Sequence, residues 1–162
     1  MGIVIETSSL TKQYGKKQVV KDLDLKVPGG SIYGFLGPNG AGKSTTMKMI
    51  LGLAKPTSGT VTVLGKTVNG RNRLSILKNT GSLIESPSYY GHLSGRENLQ
   101  VICTLKQVPE SAIDEVLQTV RMEKQQNKKV SQYSLGMKQR LGLAAALLGH
   151  PRILLLDEPR TP

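Results

Sequence analysis

Residues 37–44 read Gly37-Pro38-Asn39-Gly40-Ala41-Gly42-Lys43-Ser44, which is the pattern G-x-x-x-x-G-K-[ST]. An apolar run, residues 31–36, precedes it, and residues 43–53 follow with Met47, Ile50 and Leu51 at helical spacing. The string is therefore predicted to be the turn between a strand and a helix. There, glycines let the backbone wrap an anion, and successive N–H groups plus a helix N-terminus present partial positive charge. The implied ligand is a polyphosphate. Lys43 is placed to reach its β- and γ-phosphates, Ser44 to offer a hydroxyl to Mg2+, and Thr45 to support an α-phosphate contact, with residues 37–42 supplying the rest of the cradle.

Near the other end, Ile153-Leu154-Leu155-Leu156-Asp157-Glu158 reads as a buried strand delivering two adjacent carboxylates. They fall at its C-terminal edge, where open α/β sheets place ligands. Asp157 suits Mg2+ held through water, and Glu158 suits orientation and deprotonation of an attacking water. A hydrophobic run before Asp-Glu also merely ends many strands. The phosphate loop upstream turns the pair into a candidate for hydrolysis.

Between these motifs, residues 3–27 show short β-like patterns closed by Pro28-Gly29-Gly30, predicting an antiparallel β portion. Residues 60–64 read as a strand, 71–78 as a short helix and 81–84 as a strand, and this alternation implies a largely parallel sheet. Residues 94–122 have helical periodicity interrupted by Pro109, and the polar stretch 123–129 reads as a loop. Ser134 precedes a helix predicted to run to Leu148, before the strand 153–156.

Composition narrows the function classes. With Cys103 the single cysteine among 162 residues, neither an internal disulfide nor a zinc cluster can be built, and a reducing compartment is expected. The start lacks a signal-peptide pattern, and 141–156 is too short and broken to span a bilayer, so a cytoplasmic chain is expected. A net charge of +11 suits nucleic acid, an anionic membrane face or simply a solvated basic surface. Lys and Arg are scattered without a basic helix or stacking platform, so no nucleic acid is expected as partner. Asn127-Lys128-Lys129-Val130 lacks the Asp of a guanine-reading motif, which sets a GTPase aside.

Tyr133-Ser134-Leu135-Gly136-Met137-Lys138-Gln139-Arg140 resembles the signature of ATP-binding cassette (ABC) ATPases, with Leu135 in place of the first glycine and Met137 in place of glutamine. In that family Ser134 and Gly136 occupy positions that contact the γ-phosphate of ATP held by a partner subunit. Physically, a Ser hydroxyl and helix N-terminal N–H groups form an anion receptor, and Ser134 serves equally as an ordinary N-cap. Tyr14, in Leu10-Thr11-Lys12-Gln13-Tyr14-Gly15, matches the aromatic that stacks on adenine. The segment Gly81-Ser82-Leu83-Ile84-Glu85-Ser86-Pro87-Ser88-Tyr89-Tyr90 presents Glu85 where most members have glutamine, and looks like the bacitracin and lantibiotic-resistance exporters. Glu85 then becomes a magnesium or water contact, or a surface ion-pair member, and Tyr89 and Tyr90 face a membrane subunit.

The resemblance implies an α/β P-loop NTPase fold, an ABC nucleotide-binding domain with an N-terminal antiparallel β portion. Residues 1–162 would be a partial domain, with its core at 1–93 and 131–162 and a helical insertion at about 94–130. It implies ATP and Mg2+, permease subunits, a second cassette in a head-to-tail dimer, and a place on the inner face of the membrane. Family members continue past Asp157-Glu158 into a Leu-Asp loop and a switch histidine, a context that neither His92 nor His150 has. The sheet is therefore expected to be incomplete at its C-terminal end, the isolated chain marginally stable, and its turnover low. Two alternatives stay open: a nucleotide-binding module without turnover, and a soluble ABC protein acting on ribosomes or DNA.

Overall fold

Inward-facing residues along β1 (Ile3–Tyr14) step from Ile5 to Thr7 and then to Leu10, and a period of two cannot make that last step without an extra residue. The computed structural model, which describes residues 2–86 and 88–157, places it at Ser9, whose φ is +46°. The antiparallel register with β2 (Lys17–Pro28) shifts between Thr7 and Leu10. Asp22 (φ +43°) does the same on β2. The irregular backbone is satisfied locally: Ser9 N–H donates to Asp24 Oδ1 at 2.7 Å, Asp22 N–H to Thr11 Oγ1 at 3.0 Å, and Thr7 Oγ1 to Leu23 O at 2.7 Å.

The chain divides into two compact units, Met1–Leu77 and Lys78–Pro162. In the first, β3 (Ser58–Val63) pairs antiparallel with the other side of β1, and β4 (Lys66–Thr67) with β3, giving the order β2-β1-β3-β4. Helix α1 (Lys43–Ile50) packs on β2 and β3 through buried Thr46, Met49 and Ile50, continued by Leu51. Eight residues are too few for a helix to persist alone. Burial, at about 1.5–3 kcal/mol for each large apolar side chain, holds it. Helix α2 (Arg73–Lys78) follows.

In the second unit, β5 (Thr80–Leu83) and β6 (Ile153–Leu156) run parallel, with Thr80 opposite Ile153 and Leu83 opposite Leu156. Helices α3 (Gly95–Lys106), α4 (Ala112–Thr119) and α5 (Leu135–Leu147) enclose a core that includes Leu99, Cys103, Ile113, Leu117, Met122 and Leu141. Gly81 lets α5 lie directly on β5: a Cβ there would stand 2.0 Å from Ala146 O.

Helix and strand positions read from periodicity recur within a few residues, the break between α3 and α4 falling at Gln107 (φ +58°) just before Pro109. Three expectations are corrected. The antiparallel portion expected at 3–27 is present as β1 and β2, but β3 joins that antiparallel sheet instead of a parallel one, and β5 with β6 is the single parallel pairing among the described residues. The polar stretch 123–129 contains a 3-10 turn, Glu123–Gln125. Residues 31–36 form no strand, and Ile32 and Leu36 stand 104% and 90% exposed. A strand exists only where a neighbour takes up its backbone N–H and C=O groups, and no described strand does so there.

Candidate nucleotide site

The glycine-rich loop is seated by its last glycine. Gly42, the N-cap of α1, has φ +84°, and a Cβ on it would lie 2.4 Å from Val19 O and 2.8 Å from Val20 Cγ2. Only a residue without a side chain brings the N-terminus of α1 this close to β2. Gly40 (φ +82°) has open space around it and is a glycine for its dihedral alone. Ala41 N–H donates to Pro38 O at 3.1 Å, which curls residues 38–41 into a turn, with Pro38, Asn39 and Gly40 exposed. Gly37 stands beside Ala41 and the Lys43 stem.

Lys43 folds back over this turn, donating from Nζ to Gly37 O and, at 3.1 Å, to Pro38 O. Its ammonium thus spans the mouth of the loop, where an anion's oxygens would compete with two carbonyls for its protons. Thr46 reinforces the turn, its N–H and its hydroxyl both donating to Gly42 O at 2.8 Å. Ser44 and Thr45 lie half-buried in the first turn of α1, where the helix N-terminus favours negative charge.

Tyr14 ends β1, opposite Lys17, at the tip of the hairpin and 53% exposed. Val20, against which Gly42 rests, pairs with Lys12, so the phosphate loop and Tyr14 share one end of the sheet. The segment after α1 grips this end too: Thr57 N–H donates to Thr11 O at 2.9 Å, and Gln13 N–H to Thr57 Oγ1 at 2.9 Å.

In the second unit the parallel register sets the carboxylates. Asp157 N–H donates to Leu83 O at 2.9 Å, so Asp157 leaves β6 level with the end of β5, two residues before Glu85. Glu85 is exposed at φ +62°. Both therefore emerge at the same C-terminal edge. Glu158 lies outside the described residues.

Ser134 caps α5, its Oγ accepting from Met137 N–H at 3.2 Å, with Gly136 exposed in the first turn. This turn is tied to the loop after β5, because Tyr89 Oη donates to Lys138 O at 2.6 Å. Burial pushes the Tyr89 phenol up from its ordinary value. A recess of about 340 Å³ lies here, lined by Tyr89, Gly91, Val130, Leu135 and Lys138 among others. Tyr90 is exposed whereas Tyr89 is half-buried, so only Tyr90 has the open ring expected of a partner-facing residue.

Asn98, which sequence reading passes over, fixes this loop. Nearly buried on α3, it donates from Nδ2 to Tyr90 O (3.1 Å) and Ser94 O (2.9 Å) and accepts at Oδ1 from Tyr90 N–H (3.0 Å). Its signal was an amide on the apolar face of a helix, beside Leu99.

Ser44 in the first unit offers a hydroxyl oxygen, and Asp157 and Glu85 in the second offer carboxylate oxygens, each a hard donor of the kind Mg2+ prefers. Among the described residues no cluster of three or more His, Cys, Asp or Glu side chains gathers to hold a metal by itself.

The profile of the ABC transporter family matches residues 20–161. The chain is 50% identical over 160 residues to the bacitracin transport ATP-binding protein BcrA of Enterococcus faecalis, covering 98% of this chain and 52% of that protein. It is 40% identical over 156 residues to the lantibiotic transport ATP-binding protein SrtF of Streptococcus pyogenes, covering 96% of this chain and 66% of that one. The chain thus spans about half the length of the curated relatives it matches first. Its fold superposes with a TM-score of 0.86 on a dimeric ATP-binding cassette in a post-hydrolysis state bound to ADP and Pi, at 26% identity, over 96% of this chain and 74% of that one. With the family profile reaching across the phosphate loop, the α5 N-terminus and Asp157, this chain belongs to the ABC transporter family.

Proposed function

We propose that this chain carries the nucleotide-binding part of the ATP-hydrolysing subunit of an ABC exporter, one that moves peptide antibiotics of the bacitracin or lantibiotic type. The observation that carries the reading is the loop seated by Gly42, with the Lys43 ammonium across its mouth. The relatives named for bacitracin and lantibiotic transport support the substrate class.

In this reading the adenine stacks on Tyr14, and the phosphates take backbone N–H groups from residues 37–45 other than Pro38, which has none. Lys43 exchanges two loop carbonyls for β- and γ-phosphate oxygens. Ser44 and Asp157 would hold Mg2+, with Glu85 as a further contact, and the bound ion would supply neutralisation of phosphate charge. Glu158 orients a water and takes its proton. The water oxygen bonds to the γ-phosphorus while the bond to the β-bridging oxygen breaks, and the bonding pair leaves with ADP. Ser134 and Gly136 serve the nucleotide of a second cassette in a head-to-tail dimer. Residues 94–130 form the helical insertion between the two parts of the core. Attachment to the inner membrane face runs through permease subunits in this reading, and no helix of the described residues is long and apolar enough to cross a membrane.

Calorimetric titration with ATP tests the core of this reading. Lys43→Ala is expected to remove most of the affinity, and an unchanged dissociation constant would refute the phosphate-loop assignment. A second reading, nucleotide binding without turnover in this chain alone, draws on the uncovered Ile32 and Leu36 beside the loop.

A further inference from the structure

Lys12 and Tyr14 are two residues apart on β1 and so project on the same face of the sheet. The Lys12 ammonium lies over the Tyr14 ring, 4.7 Å from its centroid. That is within the range of a cation–π attraction. The same Nζ donates to Lys55 O at 2.7 Å, so the cation is anchored to the segment that follows α1. Lys55 is two residues from Thr57, which bonds Thr11 and Gln13. The ring is therefore oriented by backbone belonging to the same connection whose other end, Gly42, seats the phosphate loop.

We propose that Lys12 is a positioning residue for base recognition: its ammonium holds one face of Tyr14 and leaves the opposite face to the purine of a bound nucleotide. The inference rests on the reading of Tyr14 as the base-stacking residue. Tyr14 keeps 53% of its surface exposed, so an exposed ring without such a clamp would turn freely about its side-chain torsions and lose orientation entropy on stacking. A cation on one face also draws electron density from the ring, which favours stacking with an electron-rich purine on the other.

The test compares ATP with tripolyphosphate, which engages the phosphate loop and has no base, by calorimetry on the full chain at about 0.15 M salt to screen distant charge. Lys12→Met is expected to weaken ATP by about threefold, the worth of an exposed cation–π contact, with tripolyphosphate unchanged. Lys12→Arg, which keeps a cation over the ring, restores ATP affinity. Tyr14→Ala weakens ATP by roughly tenfold and leaves tripolyphosphate unchanged. If Tyr14→Ala weakens ATP but Lys12→Met does not, the positioning role is wrong and the stacking reading stands. If Lys12→Met weakens both ligands equally, Lys12 acts on phosphate through its charge, and the proposal is again overturned. If Tyr14→Ala leaves ATP affinity intact, the stacking reading itself fails and the proposal falls with it.

Discussion

Gly42 and Gly40 have nearly the same positive φ, yet a methyl group at each meets different surroundings. At Gly40 alanine adds only the dihedral strain of a left-handed backbone, about 1–2 kcal/mol. At Gly42 it adds that strain and drives a methyl into Val19 O and Val20 Cγ2, a clash worth roughly 1–3 kcal/mol more. Urea unfolding should therefore show Gly42→Ala losing on the order of 2–5 kcal/mol, clearly more than Gly40→Ala. Equal losses would mean that α1 does not bear on β2 as described. Lys43 shows the complementary economy of a short loop, its ammonium satisfied by Gly37 O and Pro38 O until a better acceptor arrives.

At the scale of elements, α3 begins with a reciprocal cap. Ser94 Oγ accepts from Glu97 N–H at 3.2 Å, and Glu97 Oε2 accepts from Ser94 N–H at 2.7 Å. These bonds, first the one to the Ser94 backbone, hold the Glu97 carboxyl below its ordinary value. Because the folded value lies below the unfolded one, the stabilisation is complete above the unfolded value, about 4.3, and is lost as pH falls through the folded one. The stability difference between the wild type and Glu97→Gln should accordingly be present at pH 7 and vanish in acid, whereas a pH-independent difference would contradict the cap. Ser94→Ala should cost about 1 kcal/mol at neutral pH, read by chemical denaturation. Helices and hairpin strands were legible in the sequence because their signals are local: Ile50 and Leu51 at the end of α1, Leu99 and Cys103 on one side of α3, although Met49 and not Met47 is the methionine that α1 buries. The phosphate loop and its lysine were legible because the chemistry lies in consecutive residues. What escaped depends on distant partners. Residues 31–36 have a strand's composition but no described neighbour, and neither the Asn98 bonds to Tyr90 nor the Lys12 bond to Lys55 has a local pattern.

For the molecule as a whole, the uncovered apolar surface governs behaviour in solution. Ile32 and Leu36 stand almost fully exposed in a segment without secondary structure, and Leu154 and Leu156 of β6 are 39% and 45% exposed. In the described residues β5 and β6 pair only with each other, so each has a strand neighbour on one side. Exposed apolar side chains, worth about 25 cal/mol per Å² on burial, favour association with any surface that covers them. The longer relatives have further chain with which to cover such surface, since this chain spans about half of their length. We predict that the 162-residue chain on its own sediments as associated species and releases phosphate from ATP slowly. Ile32→Thr combined with Leu36→Thr should shift sedimentation toward monomer while ATP affinity holds, because neither residue belongs to the phosphate loop. Rapid turnover by a monomeric chain, abolished by Glu158→Gln, would overturn this prediction and would mean that the hydrolytic site is already complete within these residues.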